Sequence, residues 1–157
     1  MRGVVIKAMP APRASKCRSV MLALPEWFGI ESYIESYAQE AEGLPTFGAY
    51  DSDGALLGFM TLKAEGEGVN EIHAMGVLPH FQGRGIGMQL VMHAQEVSRQ
   101  VGCHTLRVRT LGPSKPDPYY DRTRAFYVKA GFRSVEERLD VWPDNPCLVM
   151  EFSLVAE

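Results

Sequence analysis

The sequence predicts a single α/β domain in which a mixed, mostly antiparallel central sheet is flanked by helices. Three observations predict it. Strand-like and helix-like runs alternate along the chain in the order β-α-α-β-β-β-α-β-α-β-β. Two apolar runs flank Asp53-Gly54, a dipeptide suited to a hairpin turn, so the strands there pair antiparallel. A third run, "NEIHAMGV", leads through a glycine-rich loop into a long helix instead of a hairpin.

Each element has a local reason. "VVIKAM" is a strand by β-branching. From Pro12 to Trp27, Val20, Met21, Leu24 and Trp27 recur at helical intervals, and Gly29 is placed to stop the helix. Ile30, Tyr33, Ile34 and Tyr37 mark a second helix ending at Gly43. "TFGAYDSDGALLGFMTLKAEG" is the hairpin, and "NEIHAMGV" the fourth strand. A helix from about Ile86 to Gln100, stopped near Gly102, precedes the alternating strand "HTLRVRTL". "GPSKPDPYY" reads as a proline-broken loop, and "DRTRAFYVKAGF" as a helix with Asp121 as N-cap and Gly131 at its end. "FRSVEERLDVW" and "CLVMEFSL" are closing strands joined by "PDNP".

Composition narrows the function classes. A chain of 157 residues, 46% hydrophobic, suits one domain over residues 1–157 with a sizeable core. Its net charge of −3 gives no basic footprint, which weighs against nucleic acid, a charged tRNA included, and against an anionic membrane surface. Cys17, Cys103 and Cys147 lack CxxC spacing, so neither a disulfide framework nor a zinc site is expected. Asp51 and Asp53 lack the rest of a calcium loop, and no metal is expected. "MRGVVIKAM" is too short for a signal peptide's apolar region, and no run approaches the roughly 20 apolar residues of a membrane span, so a cytoplasmic setting is expected.

The most informative stretch is "VLPHFQGRGIGMQL", which places Gly83, Gly85 and Gly87 ahead of a helix. A glycine turn that opens a helix gathers unpaired backbone N–H groups, and the helix macrodipole adds about half a positive charge there. Missing Cβ atoms let an anion approach the backbone. A nucleotide P-loop would need GxxxxGK, and this loop has no such lysine. A dinucleotide fingerprint would need a small residue where Met88 stands.

What fits is Q-x-x-G-x-G, with Gln82, Gly85 and Gly87 after a strand ending in Val77 and a proline at Pro79. This resembles the cofactor motif of the GNAT family of N-acetyltransferases. "RAFYVKAGF", about forty residues later, is similar to the family's late FYxxxGF helix. The resemblance covers nearly the whole chain in element order, with its specific motifs between Glu71 and Phe132. It implies acetyl-coenzyme A as cosubstrate, its pyrophosphate held by the amides of Gln82, Gly83, Arg84, Gly85, Ile86 and Gly87, with Arg84 near a phosphate. It further implies that Tyr127 serves the departing sulfur, and that a backbone N–H near Met75, Gly76 and Val77 serves the developing oxyanion. Tyr120 stands where family members often carry an asparagine.

Two bases compete. By strand alternation Glu71, His73, Met75 and Val77 share one face, barring a bulge. Glu71 matches the position of the glutamate base in the histone-acetylating branch of the family, whereas a histidine such as His73 has a reference pKa of about 6.5, suited to neutral pH. Either could instead be structural, Glu71 as a solvated strand-end charge and His73 as a core histidine. Trp27, Phe28 and Tyr33 lie where the resemblance implies an acceptor wall, although core packing explains the same stripe. The reading is an acetyl-coenzyme A-dependent N-acetyltransferase acting on a small-molecule or peptide primary amine by direct transfer in a ternary complex. The alternative is a non-catalytic acyl-coenzyme A-binding or regulatory domain. Homodimers formed through edge strands are common for the fold.

Overall fold

The computed structural model describes residues 3–155. Its elements follow the expected order: β1 (Val5–Ala8), α1 (Ala14–Leu22), α2 (Glu31–Ala41), β2 (Thr46–Tyr50), β3 (Leu56–Ala64), β4 (Val69–Val77), α3 (Ile86–Gln100), β5 (Thr105–Leu111), α4 (Pro118–Lys129), β6 (Arg133–Trp142) and β7 (Asn145–Ser153). A single 3₁₀ turn, Pro79–Phe81, joins β4 to the glycine loop. The strands form one seven-stranded sheet in the order β1-β2-β3-β4-β5-β7-β6, mostly antiparallel, with β4 and β5 parallel. Among the described residues no helix is long and apolar enough to cross a membrane.

The chain divides into two compact units, one of residues up to Lys63 with His73–Ala94, the other Ala64–Ile72 with the residues from Gln95 onward. In the first unit, β1, β2 and β3 pair antiparallel. Met9, Cys17, Val20, Met21, Leu24, Ile34, Ala38, Ala41, Phe59 and Ala74 form its buried cluster, so α1 and α2 each present one apolar stripe to the sheet. Helix α1 is shorter than the periodicity suggested. It ends at Leu22, not Trp27, because Pro25 supplies no N–H and disfavours helical backbone before it. Leu24 stays buried in the following turn, so the stripe outlasts the helix that it seemed to define. The carboxylate of Glu42 accepts from the backbone N–H groups of Arg13 and Ala14 at 2.9–3.0 Å, capping α1 from the end of α2. Those bonds hold its carboxyl below the usual range. At the hairpin, Gly54 has φ +83° and Asp51 Oδ1 accepts from Asp53 and Ala55 N–H, so Asp51 closes the turn.

In the second unit the first half of β4 pairs with β5, β5 with β7, and β7 with β6 at the edge. Helix α4 starts a turn earlier than expected. Asp117, not Asp121, is the N-cap: its Oδ1 accepts from Tyr119 N–H at 2.9 Å and Tyr120 N–H at 3.3 Å, with Pro118 opening the helix. Asp121 lies inside the first turn and pairs with Arg124. Asp117→Ala is expected to cost about 1 kcal/mol, seen as a melting temperature lower by a few degrees. The helix ends as the glycine indicated. Gly131 has φ +100°, Phe132 N–H donates to Tyr127 C=O and Gly131 N–H to Val128 C=O, both at 3.0 Å, which is the Schellman stop. Tyr127 and Phe132, the two residues whose side chains normally meet in that stop, have ring centroids 5.4 Å apart. The spacing Y-x-x-x-G-F is therefore dictated by the way this helix ends.

Candidate active site

The glycine loop begins where β4 ends. Gly83 and Gly85 have φ +75° and +84°, a region that L side chains rarely adopt, and a Cβ at either would meet nothing within 4 Å. The glycines are thus demanded by the backbone turn, and the turn faces open space. Ile86, 1% exposed, anchors the start of α3. Gln89 N–H donates to Gly85 C=O at 3.0 Å, so the amides just before Gln89 belong to the first turn, where no intrahelical acceptor exists. Gln82 Nε2 donates to Val77 C=O at 3.0 Å, fastening the loop to the end of β4, and the Arg84 guanidinium sits 5.4 Å from the Phe81 ring centroid. Neutral glycines, space for an anion and a helix N-terminus fit a pyrophosphate.

Strand β4 is irregular just before that loop. Glu65 N–H donates to Val69 C=O, and Leu78 N–H to Leu57 C=O, both at 2.9 Å. Continued in the register of the first bond, Leu57 would face residue 77; it faces Leu78, so one extra residue has entered β4. Side-chain directions agree. His73 meets Tyr37 and Glu40 of α2, while a Cβ on Gly76, three residues later, would lie 2.8 Å from Leu24 Cδ1 and 3.4 Å from Val20 Cγ1 of the α1 segment. Residues three apart face the same helical layer only across a bulge. The shared face expected for Glu71, His73, Met75 and Val77 therefore does not run through to Val77. Bulges re-aim backbone groups next to sites. Gly58 makes room for this one, since a Cβ there would stand 2.7 Å from Gly76 O. Gly58→Ala is expected to displace backbone and lower stability by about 2 kcal/mol, measured by denaturant unfolding.

His73 is enclosed by functional groups. Its Nε2 lies 3.1 Å from Glu40 Oε1, its ring is edge-on to Tyr37 with centroids 5.1 Å apart, and Tyr37 is edge-on to Phe28 at 6.4 Å. Lys63 Nζ is 3.8 Å from Glu40 Oε2. Of the aromatic residues singled out from sequence, Phe28 belongs to this group, Trp27 packs against the buried cluster, and Tyr33 is 41% exposed one turn before Tyr37. Tyr37 and Glu40 were missed. Their only trace in sequence is the three-residue spacing that places them together on α2.

The other candidates lie in the second unit. Glu71 is 3% exposed, and its Oε2 is 3.3 Å from Arg109 Nε, an ion pair. Register explains the pair: Glu71 faces Arg107 across the parallel ladder, and Arg109 is two residues further on the same face. Arg109 also reaches Glu65 at 3.8 Å. Glu71 is a buried, charge-paired carboxylate and not a solvated strand-end charge. Tyr127 is buried between Phe126 and Phe132, with ring centroids 5.3 and 5.4 Å away. Burial, and secondarily Tyr120, pushes its phenol well above the usual tyrosine range. Tyr120 lies two turns earlier on the same helix. The Cys17 thiol is pushed up to about 11, first by burial and then by Glu42, and burial also raises that of Cys147.

Comparison with known proteins places this geometry in a lineage. Residues 16–132 match the Acetyltransferase (GNAT) family. Mycothiol acetyltransferase of Beutenbergia cavernae is 38% identical over 85 residues, 54% of this chain and 27% of that protein, so the match spans about a quarter of that relative's length. A solved GNAT-family acetyltransferase structure from Desulfovibrio desulfuricans superposes with a TM-score of 0.82 at 20% identity, over 98% of this chain and 100% of the other. A GNAT acetyltransferase from Elizabethkingia anophelis with acetyl-coenzyme A bound superposes at 0.74 and 18% identity, over 98% and 99%. The family match, covering both the glycine loop and the Tyr127 helix stop, shows that this chain belongs to the GNAT family of acetyltransferases, whose acyl donor is acetyl-coenzyme A.

Proposed function

We propose that this chain moves an acetyl group from acetyl-coenzyme A to a primary amine on a small molecule or peptide, directly and within a ternary complex. The observation that carries the reading is the open, positive-φ glycine turn at the start of α3, placed immediately after the bulged end of β4. The bound thioester supplies an activated acetyl carbon. Amides from Gln82 to Gly87 bind its pyrophosphate, and Arg84 adds charge beside them. A backbone N–H of the segment Met75 to Val77 takes the carbonyl oxygen as it gains charge. Tyr127, kept neutral by burial, donates a hydrogen bond to the departing sulfur. Glu71 or His73 of β4 receives the proton of the attacking amine. Phe28 contributes to the acceptor side, together with Tyr37. Burial keeps Cys17 and Cys147 protonated, and a neutral thiol is a poor nucleophile, which weighs against an acyl-cysteine route through either of them.

Calorimetric titration of the purified protein with acetyl-coenzyme A tests the reading. Saturable binding in the micromolar range is expected; folded protein that gives no binding heat and no thermal shift with the ligand would end it.

A further inference from the structure

We infer that Thr110, near the end of β5, is a cosubstrate-binding residue outside both sequence motifs: its buried hydroxyl takes an amide of the pantetheine arm of acetyl-coenzyme A, and the inference rests on the transferase reading above. The face on which Thr110 stands is otherwise apolar. Along β5, Leu106, Val108 and Thr110 alternate with Arg107 and Arg109, and the first three are 0%, 1% and 4% exposed. Across the ladder to β7 they stand opposite Phe152, Met150 and Leu148. A valine would fill the third position with the same shape. Threonine instead buries a hydroxyl there, and its Oγ1 has no hydrogen-bond partner among the described residues. Such an atom destabilises the free protein, because its bonds to water are lost on folding and none replaces them. A polar atom buried in this way, on a strand face that valine would suit, points to a ligand.

The surroundings indicate which group of the ligand it meets. Phe152, on this same face, lies against Phe132 with ring centroids 5.6 Å apart, and Phe132 lies against Tyr127 at 5.4 Å, so this is the face that α4 covers. Arg124 of α4 donates through its guanidinium to Leu111 C=O, which fastens the helix to β5 one residue beyond Thr110. Thr110 therefore stands under the helix whose Tyr127 serves the departing sulfur in the proposed reaction. The polar groups that the pantetheine arm carries nearest its sulfur are amides. A hydroxyl both donates and accepts, so it can serve the C=O or the N–H of an amide. Binding then satisfies Oγ1 and the amide together, in apolar surroundings where either alone would lack a partner.

The test compares wild type with Thr110→Val, which keeps the shape and removes the hydroxyl, and Thr110→Ser, which keeps the hydroxyl. Thermal melting of the free protein is the first readout. Thr110→Val is expected to melt at the wild-type temperature or above it, because an unpartnered hydroxyl gives way to an apolar group of the same size. Calorimetric titration is the second. The Kd for acetyl-coenzyme A is expected to rise about 5–10-fold in Thr110→Val and to stay within about threefold of wild type in Thr110→Ser. The nucleotide end of coenzyme A alone, phosphoadenosine diphosphate, lacks the arm, and its Kd, measured by displacement, is expected to change less than about twofold in Thr110→Val. A Thr110→Val protein that melts several degrees lower and binds acetyl-coenzyme A as wild type does would make the hydroxyl structural and overturn the inference. An equal loss of affinity for acetyl-coenzyme A and for the nucleotide would overturn it too, since the arm would not be what Thr110 meets. If wild type fails to bind acetyl-coenzyme A, the transferase reading fails and the role of Thr110 with it; if wild type and Thr110→Val bind it equally, only the role of Thr110 fails.

Discussion

Gly85→Glu is expected to weaken acetyl-coenzyme A binding by at least about 100-fold while leaving a folded protein. Two effects add. At φ +84° a non-glycine residue is strained by about 1–2 kcal/mol, which loosens the turn. A carboxylate placed in the open space beside Gly85 would also repel a pyrophosphate at the very helix end that should attract it. Since an added Cβ meets nothing within 4 Å, the substitution creates no clash in the core, and circular dichroism should show native secondary structure with a melting temperature only a few degrees lower. Calorimetry checks the loss of binding. Retained affinity in a folded variant would move the cosubstrate away from the loop.

Tyr127→Phe is expected to lower kcat by about 10²-fold with the KM for acetyl-coenzyme A within about threefold of wild type. The ring would still fill its place between Phe126 and Phe132, so the change isolates the hydroxyl. Burial raises the Tyr127 phenol above its reference value of about 10, so it acts as a hydrogen-bond donor throughout the neutral range and adds no limb to the pH profile there. The sign for stability follows. A folded-state value above the unfolded one means that this contribution is complete below about pH 10 and is lost as the pH rises further. Steady-state kinetics, with alkaline denaturation alongside, checks both statements; an unchanged kcat would reduce Tyr127 to its role in the helix stop.

The parts of the site that were legible in the sequence are those whose letters are dictated by local backbone. Gly83 and Gly85 mark a turn that opens a helix and Gly131 marks a helix end, and the structure gives all three positive φ. Element order was legible for the same reason, since hydrophobic period and turn residues are local signals. Boundaries were less so. The end of α1 was obscured because Leu24 continues the apolar stripe in a turn, and Asp117 and Asp121 both suit an N-cap, with Pro118 deciding between them. What sequence concealed is tertiary. The β4 bulge has no marker among its own residues and emerges only from the pairing of β3 with β4. Arg109 becomes the partner of Glu71 only through the parallel register of β4 and β5. Glu40 reads as an ordinary solvated helix charge until folding sets it against His73, 33 residues away.

Mass spectrometry of both amine and protein, after incubation with acetyl-coenzyme A, tests direct acetyl transfer most directly. The account predicts that an accepted amine gains one acetyl group in a protein-dependent reaction, and that without amine the protein's own mass is unchanged. An acetylated cysteine that forms without amine and disappears when amine is added would contradict direct transfer, and coenzyme A binding with no acetylated amine would contradict the transferase itself.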